Sequence, residues 1–358
     1  MADLKPIGIT PGKTPGKAPY KRIAAEEAFC PPEMFQVYKR LLDEGRIDDP
    51  GFMSLWGFYL TSPSPRTTFI RDYMTDIGDK RLAHMDASGI DMQILSLTAP
   101  GVQIMDRDEA VGFAAFSNDW IAEKVARHPD RFAALAACAP QDPAAAAKEI
   151  ERGVTKLGMK GVIISSHTHG EYLDDQKFWP IFEAAEALDV PIYIHPQGPS
   201  KGLIQPLLER GLDGAIYGFS VEVGMHTLRI LVSGAFDRFP RLQIMIGHVG
   251  ESLPFSLYRI DYMHNASVKS GRYASMPPLK KKPSDYFREN IYVTNSGVAW
   301  APPIRFMQEV LGVDRVLYAQ DYPYQYVVEE VAELDEMDMD PAAKKAFFQT
   351  NAERVFKL

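Results

Sequence analysis

The strongest constraint on this chain is a recurring pattern: an apolar run that stops at a single ionisable residue. Residues 316–324 read Val-Leu-Tyr-Ala-Gln-Asp-Tyr-Pro-Tyr, with apolar positions leading into Asp321 and then a proline-bearing turn. That is the pattern of a buried parallel strand that delivers a carboxylate beyond its C-terminal end. A buried carboxylate needs a cation, a proton or several donors. The runs ending at His195 and His248, and the short run 22–29 containing Glu26, have the same form.

Taken along the chain, the pattern predicts eight strands: 22–29, 91–97, 132–138, 161–166, 190–195, 242–248, 291–296 and 316–321. Helices are predicted between them at 79–87, 107–128, 143–157, 176–188 and 221–237, with a last helix near 341–356 closing the barrel. Strict alternation favours an α/β fold of the (β/α)8 TIM-barrel type over a doubly wound sheet. Residues 30–80 read as a long irregular, aromatic-rich insertion forming a cap over the site, since a connection of that length is usually functional or disordered. Residues 1–20, with four prolines and three glycines, read as a flexible arm that packs on a neighbouring subunit, leaving 21–358 as the barrel domain.

Composition narrows the function. The chain of 358 residues is 46% hydrophobic and carries a net charge of -8, which argues against nucleic acid as the main partner. No run of about 20 apolar residues is present to span a bilayer. Without an apolar leader core, the expected location is the cytoplasm. Cys30 and Cys138 show neither zinc-ligand nor redox spacing.

In a barrel the functional side chains come from the strand ends. Here these are Glu26 or Glu27, His167, His195, His248 and Asp321. Imidazoles and carboxylates in this mixture suit Zn²⁺ or Mn²⁺. Neighbouring strand residues point to opposite faces, so only one of Glu26 and Glu27 reaches the barrel centre. Glu251 either orients His248 or caps the next helix. His167 and His169 follow strand four as loop residues, either of which could enter the pocket. His84, His128, His226 and His264 fall in helical patterns and read as surface or packing residues. Arg66 in the cap and Arg259 after strand six are candidates for gripping a carboxylate, the ordinary alternative being a surface ion pair. Tyr324 could donate to the same carboxylate.

Glu26-Glu27-Ala28, Tyr193-Ile194-His195-Pro196, Gly247-His248-Val249-Gly250-Glu251 and Asp321-Tyr322-Pro323 follow the order seen in the amidohydrolase superfamily. From about residue 20 to the C-terminus the chain resembles the non-oxidative aromatic acid decarboxylases of that superfamily, the 5-carboxyvanillate decarboxylases above all. Ser54-Leu55-Trp56-Gly57-Phe58-Tyr59, Ser296-Gly297-Val298-Ala299-Trp300 and Asn351-Ala352-Glu353-Arg354 also carry the likeness. Many superfamily members place a histidine at the position of Ala28, which cannot bind a metal. The decarboxylases share that departure.

The resemblance implies one divalent metal, Mn²⁺ first with Zn²⁺ or Mg²⁺ as alternatives, held by Glu26, His195 and Asp321. It implies Asp321, His248 and Glu251 as catalytic residues, and Arg66, Arg259 and Tyr324 as substrate-binding residues. It further implies a small aromatic carboxylic acid as substrate, decarboxylation of 5-carboxyvanillate to vanillate, and a homodimer or homotetramer. Two rivals use the same residues. One is a metal-dependent hydrolase of a lactone or amide, with Asp321 as general base; the other is an inactive ligand-binding barrel.

Overall fold

The structure is a computed structural model that describes residues 6–45 and 47–358. Nine strand segments run parallel in sequence order: β1 (Ile23–Phe29), β2 (Met92–Leu97), β3 (Phe132–Ala134), β4 (Ala136–Ala137), β5 (Val162–Ser165), β6 (Ile192–His195), β7 (Ile244–Ile246), β8 (Ile291–Thr294) and β9 (Val316–Leu317). The third expected strand is split at Leu135 into β3 and β4. Leu135 donates its N–H to Leu95 O, while Ala136 turns to Gly161 O. The break thus shifts pairing from β2 to β5. With β3 and β4 counted as one strand, eight strands form the barrel.

Closure comes from the two chain ends, not from the last helix. Ala25 N–H donates to Tyr318 O at 2.9 Å and Ala28 N–H to Tyr322 O at 2.7 Å, so β1 pairs with the segment that follows β9. The last helix instead packs outside, as α15 (Pro341–Lys345), one π turn and α16 (Asn351–Phe356), with Phe347 O accepting from Tyr318 N.

Between β1 and β2 the chain is helical where the sequence reading expected an irregular segment. It forms α1 (Pro32–Glu44), α2 (Pro50–Thr61), α3 (Pro65–Thr75) and α4 (Asp79–Ser88). Proline at the first turn suits helix entry, and Asp49 and Ser64 accept the N–H groups of Phe52 and Thr67 as N-caps. Helix α2 meets the loop after β6 backbone to backbone: a Cβ on Gly51 would lie 2.7 Å from Gly198 Cα. Only glycine permits that approach.

The outer layer continues with α5 (Arg107–Arg127), α6 (Pro143–Leu157), α7 (Trp179–Leu188) and α8 (Lys201–Leu208). The single helix expected over 221–237 is α9 (Gly218–Val232) and α10 (Ala235–Arg238), separated at Gly234, whose φ is +84°. Then come α11 (Leu257–Ser270), α12 (Pro283–Asn290), α13 (Ala301–Leu311) and α14 (Glu330–Asp335).

The N-terminal arm docks on its own chain. Thr10 N–H and Lys13 Nζ reach Glu333, Tyr20 OH donates to Asp335, and the Tyr20 ring stacks on Phe348 at 5.2 Å. Its first five residues lie outside the described residues. Among the described residues no helix is long and apolar enough to cross a membrane.

Candidate metal centre and substrate cavity

Glu26 sits where β1 departs from regular register: Ala24 pairs with Gln93 but Glu27 with Leu95. Such a bulge re-aims a side chain. The Glu26 carboxyl is buried and has one oxygen engaged: Oε2 accepts from Tyr193 OH and from Thr294 Oγ1. Oε1 accepts no hydrogen bond, although it is fully buried. It lies 3.2 Å from His195 Nε2. Gly247 is required beside it, since a Cβ there would stand 2.8 Å from Glu26 Oε2.

His195 ends β6. Its Nδ1 lies 2.7 Å from Pro196 O, and a carbonyl can only accept, so Nδ1 carries the proton. The Nε2 lone pair therefore faces Glu26. Asp321 follows β9 with φ +70°, in the left-handed region that few side chains occupy. One donor atom each from Glu26, His195 and Asp321 lies within 4.8 Å of the others.

His248 follows β7 in a tight turn where His248, Val249, Glu251 and Ser252 all have positive φ. Such local strain clusters at functional sites. Its Nδ1 donates to Glu251 Oε1 at 2.7 Å, and Nε2 lies 3.9 Å from Glu26 Oε1. Burial opposes charge on this ring, but the carboxylates of Glu251 and Glu26 outweigh it and push His248 up to about 10. Burial, then the Glu26 charge, raises Asp321 to about 7, with the His248 and Arg66 charges pulling the other way. Glu26 is lowered: burial is the largest influence and opposes ionisation, but the neighbouring His248 charge overcomes it.

His195, His248 and Asp321 form the polar floor of a cavity of about 350 Å³ at the C-terminal ends of the strands. Leu55, Ala99, Phe219 and Val298 supply apolar wall, and Tyr59 and Arg66 come from α2 and α3. The donor set fits a divalent cation. It has two carboxylates, one neutral imidazole with its lone pair inward, and a buried carboxylate oxygen lacking a donor.

Residues 66–358 match the Amidohydrolase family. The chain belongs to the amidohydrolase family. This amidohydrolase is 54% identical to the manganese-bound 5-carboxyvanillate decarboxylase of Novosphingobium aromaticivorans, solved with 4-hydroxy-3-methoxy-5-nitrobenzoic acid. The superposition has a TM-score of 0.94 and covers 97% of this chain and 98% of that one. It is 41% identical to the 5-carboxyvanillate decarboxylase of Sphingomonas paucimobilis, with a TM-score of 0.88, over 95% and 99% of the two chains. It is 37% identical to the gamma-resorcylate decarboxylase of Polaromonas sp., over 94% of this chain and 98% of that one.

Not every residue singled out in the amidohydrolase sequence enters the cavity. Arg259 is exposed on α11 and is absent from the cavity wall. Helical spacing places it after strand six but cannot choose its face. Tyr324 lines the cavity, yet its hydroxyl is taken up by Thr98 Oγ1 at 2.6 Å. Arg66 is on the wall, exposed, with Nη2 donating to Tyr324 O at 2.9 Å.

His167 stays behind the site, buried between Gly198 O and the N–H of Gly170. His169 lines a separate, open groove of about 620 Å³ with Arg107 and Lys177. That groove is larger than the cavity, but it is remote from the three donors.

His226 is fully buried in a polar network that helical periodicity alone could not reveal. Leu173 N–H donates to its Nε2, so Nδ1 carries the proton and gives it to Ser166 Oγ, which donates to Glu222. Gln325 and Phe219 also line the cavity, and strand-end reasoning missed both because neither ends a strand.

Proposed function

We propose that this amidohydrolase removes CO₂ from an ortho-hydroxybenzoic acid, with 5-carboxyvanillate as substrate and vanillate as product. The observation that carries this is the convergence of Glu26, His195 and Asp321 under a single-ring-sized cavity with Arg66 on its wall. The nitro group of the ligand in the Novosphingobium enzyme has the shape of a carboxylate beside a phenol. Identity of 54% to that enzyme, against 37% to the gamma-resorcylate decarboxylase, supports the methoxylated substrate over 2,6-dihydroxybenzoate.

In this reading Glu26, His195 and Asp321 hold the cation, manganese first and zinc or magnesium as alternatives. Bound there, it would favour phenolate over phenol and fix the adjacent carboxylate. Arg66 grips a substrate carboxylate. Asp321 takes the phenol proton as the ring seats and gives it to the carbon bearing the departing group. A C–H bond forms, the C–C bond to the carboxylate breaks, and its electron pair restores aromaticity as CO₂ leaves. His248, held by Glu251, polarises the leaving carboxylate. The helices α1–α3 serve as the cap of one barrel domain.

We also infer a homo-oligomer. Phe255, Tyr258, Tyr262 and Met263 are exposed along one stretch at α11, and Arg259 stands among them. An apolar patch of that kind is usually covered. Sedimentation at micromolar concentration tests it: a monomer would refute it.

The test of function is loss of ultraviolet absorbance from 5-carboxyvanillate with Mn²⁺-loaded protein, with vanillate identified by mass. Turnover abolished by chelation and restored by metal is expected. Activity confined to 2,6-dihydroxybenzoate would overturn the substrate, and inactivity on all ortho-hydroxybenzoates with activity on lactones would overturn the reaction.

A further inference from the structure

The two consecutive glutamates of β1 face different surroundings. Glu26 faces His195 and His248, whereas Glu27 faces the backbone on either side of Asp321. The Glu27 side chain is completely buried on the other side of the strand. Its Oε1 accepts the N–H of Gln320 at 2.8 Å, and its Oε2 accepts the N–H of Tyr322 at 3.0 Å. Those are the backbone donors of the residues on either side of Asp321.

Asp321 is a residue in need of such support. At φ +70° it occupies a backbone region strained for a side chain, held only where neighbours over-determine it. Glu27 also pairs with Tyr322 in a parallel bridge, and Ala28 N–H donates to Tyr322 O. One side-chain carboxyl group that accepts both peptide donors ties the main chain on either side of Asp321. Alternation along the strand lets one residue present a ligand oxygen while the next holds the main chain of a second ligand.

We propose that Glu27 is a positioning residue whose carboxyl group clamps the peptides flanking Asp321 and so sets the Asp321 oxygens relative to Glu26. This rests on the reading of Glu26, His195 and Asp321 as metal ligands. A purely structural Glu27 would satisfy the same two donors without influencing the cation.

The test is Glu27→Gln in the full chain, which leaves one acceptor and turns an NH₂ group toward a peptide N–H. Three readouts are independent of turnover: Mn²⁺ affinity by titration, the EPR spectrum of bound Mn²⁺, and hydrogen exchange in the peptide 318–326. The expected result is Mn²⁺ affinity reduced about tenfold or more, in the range seen when groups orienting metal ligands are removed. An altered EPR spectrum and faster exchange at Gln320 and Tyr322 should accompany it. A folded E27Q protein with wild-type affinity and spectrum would overturn the proposal. Should E27Q not fold, Glu27→Asp keeps both carboxyl oxygens, withdraws them by one methylene and is read in the same way. Wild-type protein that binds no Mn²⁺ overturns the clamp together with the metal site. Wild-type protein that binds Mn²⁺ without decarboxylating 5-carboxyvanillate overturns only the substrate reading.

Discussion

His195 and Pro196 are neighbours in sequence, and the hydrogen bond from the ring of one to the carbonyl of the other points His195 Nε2 at Glu26. The imidazole is thereby held in one tautomer before any cation arrives. His195→Ala removes one of the three proposed protein ligands. The expected outcome is a fall in Mn²⁺ affinity of more than about 100-fold, beyond what orienting groups alone contribute. Competition with a chelator measures it, and retained affinity would remove His195 from the site.

Arg66→Lys keeps the charge but loses the planar fork that pairs with a carboxylate. KM for 5-carboxyvanillate should rise about tenfold, worth about 1.4 kcal/mol, with kcat changing less. Steady-state kinetics decide it. A fall in kcat at unchanged KM would point instead to the Tyr324 carbonyl that Arg66 also holds.

Gly51→Ala forces a methyl group into the backbone of Gly198. Overpacking of this kind costs about 1–3 kcal/mol, so thermal unfolding should shift downward. Because α2 bears Leu55 and Tyr59 but no ligand, KM should rise while Mn²⁺ affinity changes little. An unchanged melting temperature would show that α2 can shift freely.

His226 predicts an acid sensitivity. Burial, followed by the nearby His167 and Arg229 charges, lowers it to about 3, whereas an unfolded chain takes up that proton near pH 6.5. The unfolded state thus binds more protons between these values, and stability falls as pH drops from about 6.5 toward 3. Glu222, raised by burial, works in the opposite direction above about pH 4.5. Ser166 and Tyr172 complete the surroundings. Replacing His226 by Asn should remove about 2 kcal/mol of the loss between pH 7 and pH 5. Urea unfolding at both pH values measures the difference. Parallel losses in wild type and variant would refute it.

The strand ends were readable because parallel buried strands are continuous apolar runs, so a lone His or Asp at the end stands out. Glu26, His195, His248 and Asp321 all come from that signal. Helix α2 was missed because it is apolar nearly all round and shows no amphipathic period, whereas α1 has such a period, with Met34, Tyr38 and Leu41 on its buried face, and was overlooked inside an aromatic-rich stretch. The proline starts of α1–α3 and the caps Asp49 and Ser64 were the available clue. The link from Glu27 to Gln320 and Tyr322 was hidden, since it depends on the register between the first strand and the last. The exposure of Arg259 on α11 and the contact of the Tyr324 hydroxyl with Thr98 were hidden for a related reason: sequence position does not say what a side chain will find opposite it.

The meeting of β1 with the segment after β9 also bears on how the protein is made. Glu26 is synthesised long before Asp321, yet both belong to one candidate donor set. A nascent chain emerging from the ribosome therefore carries only part of that set and an unpaired β1 edge until the segment after β9 is released. Truncated products lacking β9 should hold manganese poorly and tend to aggregate along that open edge.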